Sequence, residues 1–188
     1  MPTSNPYAIV HFIEKLMELK PQSILDVGPG FGKYGFLARE YLEVWFWRIK
    51  KSEWKIRIDC LEAYEPYISV VHKYIYDNIY IGDVREFPLH TLPNYDVIIF
   101  SDVIEHMEKD AGKKVLARLY DKADKAVLVS TPAEWYGATR GRSPDDFESH
   151  VCYWAPEEIL TIYKNTEIIY SGSEKGKKTY LAVIKKDS

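Results

Sequence analysis

Three glycines at alternate positions, Gly28, Gly30 and Gly32, follow directly on the apolar run Ile24-Leu25-Asp26-Val27 and lead into a helical pattern. A buried strand that turns over glycines into a helix leaves bare backbone N–H groups and a helix N-terminus at one point. That arrangement receives a polar or anionic group. Acids stand at the ends of the strands that follow. Glu62 closes KIRIDCLE, with Asp59 a rival within the run. Asp83 closes NIYIGD, and Ser101 and Asp102 close YDVIIFSD. An ionised carboxylate only accepts hydrogen bonds and so suits a pair of hydroxyls or an amino group. His106 and His150 bring the side chain whose protonation changes near neutral pH. Cys60 and Cys152 lie far apart and outside any metal-ligand spacing, so no metal site is expected and both read as reduced thiols.

The elements that must position these residues alternate. Residues 5–19 suit an amphipathic helix, with Ile9, Phe12, Ile13 and Leu16 on one face and Pro21 beyond its end. Strands are expected at 23–27, 55–62, 78–83, 95–102 and 125–131. Helices are expected at 33–50, from Pro66 to Tyr76, at 110–123 and from Pro156 to Tyr163. Two further apolar runs, TEIIYSG and TYLAVIKK, flank a Gly/Lys turn and read as an antiparallel hairpin. Alternating strands and helices with hydrophobic strands call for a mostly parallel sheet covered on both faces. No repeat, low-complexity tract or linker divides the 188 residues, so one domain, 1–188, is expected.

The formal net charge of −3 gives no broad basic field for nucleic acid. His11, Glu14, Lys15 and Glu18 break up the N-terminal apolar residues, which argues against a signal peptide. No apolar run approaches the ~20 residues that span a bilayer. A cytoplasmic chain, without membrane or nucleic-acid partners, is the resulting expectation. The 15 tyrosines and 5 tryptophans predict aromatic walls for any pocket.

In its ordered signatures the chain resembles the class I S-adenosylmethionine-dependent methyltransferases over nearly its full length. ILDVGPGFG is similar to the family's first signature, an acidic strand followed by G-x-G-x-G. LEAYEPY supplies the acid that in the family holds the ribose hydroxyls. GDVREF supplies the acid that often faces the adenine. YDVIIFSDVIEHM is similar to the fourth strand and the helix start after it. The resemblance implies a three-layer α/β sandwich. Its sheet has seven strands in the order 3-2-1-4-5-7-6, six parallel and the last antiparallel. It also implies methyl transfer from S-adenosylmethionine to a small-molecule acceptor, by a monomer or homodimer. Asp26, Gly28, Gly30, Gly32, Glu62, Ala63, Asp83, Val84, Ser101 and Asp102 would bind the cofactor. The sequence 131–154 is similar to a loop in small-molecule methyltransferases in which a Phe-Glu-x-His run precedes an aromatic; here the run is Phe147–His150. The loop is then a cover for the acceptor site, helix 5–19 is a cap, and His150 and His106 are the candidate catalytic residues.

Several residues keep a second, purely structural reading. Asp102-Val-Ile-Glu105 also fits a helix capping box. His106 can be a satisfied histidine near a helix start, and His150 can pin its loop to backbone. Asp83 can be a turn residue beside Gly82. Tyr34 and Trp135 fit core or pocket wall. Arg140 and Arg142 fit an acidic acceptor or solvent. Trp45, Phe46 and Trp47 are expected to pack under the N-terminal helix or against a partner subunit. Two rival functions remain. One is a nicotinamide oxidoreductase, since Gly30, Gly32 and Gly35 form a lone G-x-G-x-x-G; the other is a non-catalytic module that keeps the fold.

Overall fold

The computed structural model describes residues 6–135, 147–172 and 178–187. Seven strands form one sheet: β1 (Ser23–Val27), β2 (Arg57–Glu62), β3 (Ile79–Ile81), β4 (Tyr95–Ser101), β5 (Ala123–Pro132), β6 (Thr166–Ser171) and β7 (Thr179–Lys185). Their order is β3-β2-β1-β4-β5-β7-β6, as expected. Pairing is parallel from β3 through β5, and β7 runs antiparallel to both β5 and β6. The α-helices are α1 (Ile9–Leu19), α2 (Lys33–Leu42), α3 (Val70–Ile75), α4 (Lys109–Lys122) and α5 (Pro156–Ile162). No described helix is long and apolar enough to cross a membrane.

The period of two along each strand divides the core. Ile24, Ile58, Val97, Ile99, Leu128 and Leu181 point to the face covered by α1, α2 and α3, where Phe12, Leu16, Tyr34 and Ala38 meet them. Leu25, Leu61, Ile98, Phe100, Val127 and Val129 point to the other face, against Leu116, Leu119, Trp154 and Ile159 of the α4–α5 side. Helix α1 thus lies over the sheet, and a 3-10 turn, Pro6–Ala8, precedes it. Tyr34 stacks at 4.1 Å on Phe12 and belongs to the core.

Two expected helices are shorter than their sequence patterns. The helix expected over 33–50 ends at Leu42, and a 3-10 turn, Val44–Phe46, follows. The cause is tertiary. The fully buried Glu43 carboxylate accepts from the Lys55 and Ile56 amides at 2.8 and 2.7 Å and pairs with Arg48. The buried Arg39 guanidinium donates to the Ile75 and Ile56 carbonyls and to Asp77. These bonds draw the chain back toward β2, which a continuing helix would forbid. Trp47 takes a positive φ of 62° at the turn. Trp45, Phe46 and Trp47 are left 63%, 53% and 85% exposed instead of packing under α1. Likewise Pro66 opens only a 3-10 turn, Glu65–Tyr67. Ser69 then restarts the chain as α3, its hydroxyl accepting from the Val71 amide.

Removing one partner of a buried ionic cluster leaves a desolvated charge, at a cost of about 3–5 kcal/mol. Glu43→Ala is therefore expected to lower the free energy of urea unfolding by about that amount. A loss no larger than that of an exposed pair such as Lys178–Glu134 would show that water reaches the Arg39–Glu43 cluster.

Candidate functional site

The parallel register brings the predicted residues to one edge. Val27 is level with Leu61 and with Phe100, and Ser101 is level with Ser130. The segments that leave β1, β2, β4 and β5 therefore emerge side by side, where the strand order reverses.

The glycine loop is held from below and from both sides. Gly28, Gly30 and Gly32 all have positive φ, and the Gly28 amide donates to the Leu61 carbonyl at 2.9 Å. A Cβ on Gly28 would lie 2.5 Å from Val103 Cγ2, so the chain after β4 tolerates only glycine there. Gly35 is needed for packing, since a Cβ would lie 2.3 Å from the Tyr76 hydroxyl. Tyr76 in turn donates to Asp26 at 2.6 Å, beneath the loop. Burial is the main cause that pushes Asp26 up to about 7, against the opposing bond from Tyr76. His72 is a residue that the sequence pattern does not disclose. Its Nδ1 accepts from the Ser69 amide, so its Nε2–H donates to the Gly30 carbonyl at 2.9 Å.

Glu62 is 5% exposed, and its carboxylate bridges two loops, accepting from Tyr64 N at 2.8 Å and from Gly30 N at 3.3 Å. Burial raises its pKa, and these amides oppose the rise. The rival Asp59 is spent within the fold. It is fully buried and takes Arg57, the Tyr95 hydroxyl at 2.6 Å and Asn78. Ala63 follows Glu62 at the same edge. Asp83 faces Arg85 at 2.8 Å; burial works against its ionisation, but the bonds from Arg85 outweigh it and lower the pKa. Val84 beside it is buried. Ser101 shares a 2.7 Å hydroxyl contact with Ser130.

The chain after β4 departs from the capping-box pattern. Asp102 takes φ 51°, and a 3-10 turn, Ile104–His106, begins from Val103 with no side-chain cap. Glu105 is buried, to 2% exposure, and the Asp102 amide that a capping box would use donates instead to the Ser130 carbonyl at 2.8 Å. The segment 147–154 is bound to this turn along its length. The Glu105 carbonyl accepts from the Val151 and Cys152 amides, Trp154 Nε1 donates to the Ile104 carbonyl, and Cys152 Sγ donates to the Met107 carbonyl. His106 Nδ1 lies 3.0 Å from the Ser149 carbonyl, so this ring ties the loop down. Tyr67 donates to Glu148 at 2.8 Å, which joins the same segment to the end of β2.

These bonds bring His106 and His150 together, with ring centroids 4.9 Å apart at 72°. A pocket beside them is lined by Glu105, Thr131, Glu134, Trp135, His150 and Tyr153, which makes Trp135 a wall residue. Glu105 Oε2 and Thr131 Oγ1 are buried there without a hydrogen-bond partner. Burial raises the Glu105 pKa, with the Asp102 charge adding to it, and burial lowers that of His106. Residues 136–146 of the expected cover, with Tyr136, Arg140 and Arg142, lie outside the described residues, as do 173–177 of the expected Gly/Lys turn.

Asp26 gives the site a pH signature. Its ordinary value is 3.8 and its folded value about 7. Between the two, the unfolded chain has lost the proton that the folded chain keeps, so stability falls as pH rises through that window, by at most ~1.4 kcal/mol per unit. Asp26→Asn keeps an acceptor for Tyr76 and is expected to flatten this fall, as followed by urea unfolding from about pH 4 to pH 7. An unchanged slope would assign the dependence to another group.

No family model matches the chain, and no curated protein matches it. Solved structures do. The N-terminal domain of EvdMO1 with SAH bound aligns at a TM-score of 0.69 and 12% identity, over 98% of this chain and 83% of that one. A SAM-dependent methyltransferase from Archaeoglobus fulgidus aligns at 0.64 and 17% identity, over 95% of this chain and 94% of that one. Magnesium protoporphyrin IX methyltransferase (ChlM) from Synechocystis PCC 6803 with bound SAM aligns at 0.63 and 12% identity, over 95% and 78%. At these identities the likeness is one of fold, and this chain has the fold that the three structures share.

Proposed function

We propose that this chain transfers a methyl group from S-adenosylmethionine to a small-molecule acceptor. The observation that carries the reading is Glu62, a buried carboxylate that ends β2 and reaches the glycine loop of β1 at the point where the strand order reverses. The donor set fits the cofactor. The backbone amides around Gly28, Gly30 and Gly32 suit its carboxylate, with Asp26 supporting the loop through Tyr76. Glu62, an acceptor-only group, suits the ribose diol, with Ala63 beside it. Asp83 and the Val84 amide suit the adenine, and Ser101 and Asp102 close the near side at the end of β4. Structures of similar fold hold SAM or SAH, which supports the same choice.

The cofactor's sulfonium supplies the activated methyl. The protein's part is to hold that methyl in line with an acceptor and to shield both from water. Segment 131–154 is the proposed acceptor cover, since its described ends line the pocket that His150 enters. His150 and His106 are the proposed residues facing the acceptor, and 1–188 is read as one domain. The antiparallel β7 between β5 and β6 speaks against the nicotinamide alternative, whose fold carries the order 3-2-1-4-5-6.

Calorimetric titration with S-adenosylmethionine and with NAD tests the reading. The chain is expected to bind the first and not the second. Glu62→Ala is expected to weaken binding by about 1.5–3 kcal/mol, the range for hydrogen bonds to a charged group. Binding of NAD alone, or full affinity in Glu62→Ala, would overturn the assignment. Once an acceptor is known, His150→Ala should lose turnover while keeping cofactor affinity.

A further inference from the structure

Glu105, His106 and His150 are brought together by the fold and not by sequence spacing. One carboxylate oxygen and one nitrogen from each ring lie within 4.8 Å of one another. We propose that these three residues bind one divalent transition-metal ion, with the remaining coordination positions open to the adjoining pocket. Two imidazoles and one carboxylate form a ligand set that such ions accept while keeping a position for an exchangeable ligand.

Three further observations support the site. Glu105 is 2% exposed, and its Oε2 is sealed from water and makes no hydrogen bond, a costly state for a carboxylate and one that a cation would answer. The His106 ring is held in place from one side. The Ser149 carbonyl can only accept, so His106 Nδ1 donates to it and Nε2 is the nitrogen left for an ion, with the Asp102 carbonyl also beside the ring. A backbone carbonyl on the far nitrogen is the usual outer support of a metal-bound imidazole. The scaffold is also fixed, since the Glu105 carbonyl accepts from both Val151 and Cys152 and thereby binds the Glu105 turn to the His150 segment. Glu134 and Thr131 line the same pocket, so a second ligand entering it would meet oxygen groups beside the ion.

The binding of the ion stands apart from the methyl-transfer reading; its consequence rests on that reading. An ion at this place would select acceptors that offer an oxygen ligand, such as a hydroxyl or carboxylate, and would hold that oxygen at the cofactor's edge of the sheet.

The test uses the full chain, stripped with a chelator and titrated with Zn2+ by calorimetry and with Co2+ by visible absorption. The expected result is one ion per chain and a Co2+ spectrum of nitrogen and oxygen ligands. Glu105→Gln, His106→Ala and His150→Ala are each expected to weaken binding at least about tenfold. Melting temperature and S-adenosylmethionine affinity serve as controls for folding. His150 is only partly buried, so His150→Ala keeps the test decisive should Glu105→Gln not fold. No stoichiometric ion, wild-type affinity in His150→Ala, or loss of binding only in Cys152→Ser would overturn the proposal. A chain that binds S-adenosylmethionine but no ion refutes this site alone; one that binds the ion but no S-adenosylmethionine refutes the methyl-transfer reading alone.

Discussion

The register of the parallel ladders is the constraint on which the rest of the structure depends. Because Val27, Leu61 and Phe100 end level with one another, the chain leaves β1, β2 and β4 at the same height. Every polar group of the candidate site stands within a few residues of such an exit or is tied to one. Both faces of the sheet are covered and mainly apolar, and the acids buried on them, Asp26 and Asp59, are hydrogen-bonded within the fold, so the groups that could meet a ligand stand at this edge. A one-residue slip between β1 and β4 would exchange the two core faces and separate Gly28 from Val103.

The buried acids illustrate how neighbours decide a carboxylate's use. Asp59 and Glu43 are as buried as any acid in the protein, and both are consumed by structure: Asp59 by Arg57, Tyr95 and Asn78, Glu43 by two amides and Arg48. Glu62 also accepts two amides, yet those amides belong to the loops that would surround a ligand. Glu105 differs again, with one side-chain oxygen sealed in and unsatisfied. Burial alone does not distinguish a site acid from a structural one; the identity of the donors does.

The sequence was most legible where local rules dominate. Apolar strands bounded by glycines and acids, the alternation with helices and the terminal hairpin all follow from periodicity and turn chemistry, and the sheet order agrees with the family resemblance. Glu62 could be preferred over Asp59 because it closes its run. What stayed hidden depends on partners distant in sequence. Nothing near Leu42 signals a helix end, because the groups that stop it are the amides of Lys55 and Ile56. The Asp102–Glu105 spacing matches a capping box, but the Asp102 amide donates instead to the Ser130 carbonyl. His72 shows no pattern of its own, and its bond to Gly30 exists only once α3 lies against the glycine loop. The meeting of His106 with His150 depends in the same way on the bonds between two segments far apart in the chain.

The position of β7 bears on how the chain reaches this state. The strand latest in sequence lies between β5 and β6 and supplies both with their antiparallel partner. Until it arrives, β5 keeps an open edge and β6 has no neighbour in the sheet. During synthesis the half built from β1 to β5 can assemble first, while that edge stays available for pairing with any other extended chain. Closing the sheet is then a long-range event, slow relative to helix formation. The Thr131 backbone carbonyl accepts from the Thr179 hydroxyl of β7, so the pocket wall at the end of β5 is completed by the same late event. The glycine loop and Glu62 can be in place before it, which makes the glycine-loop half of the candidate site the earlier to form and the pocket at the end of β5 the later.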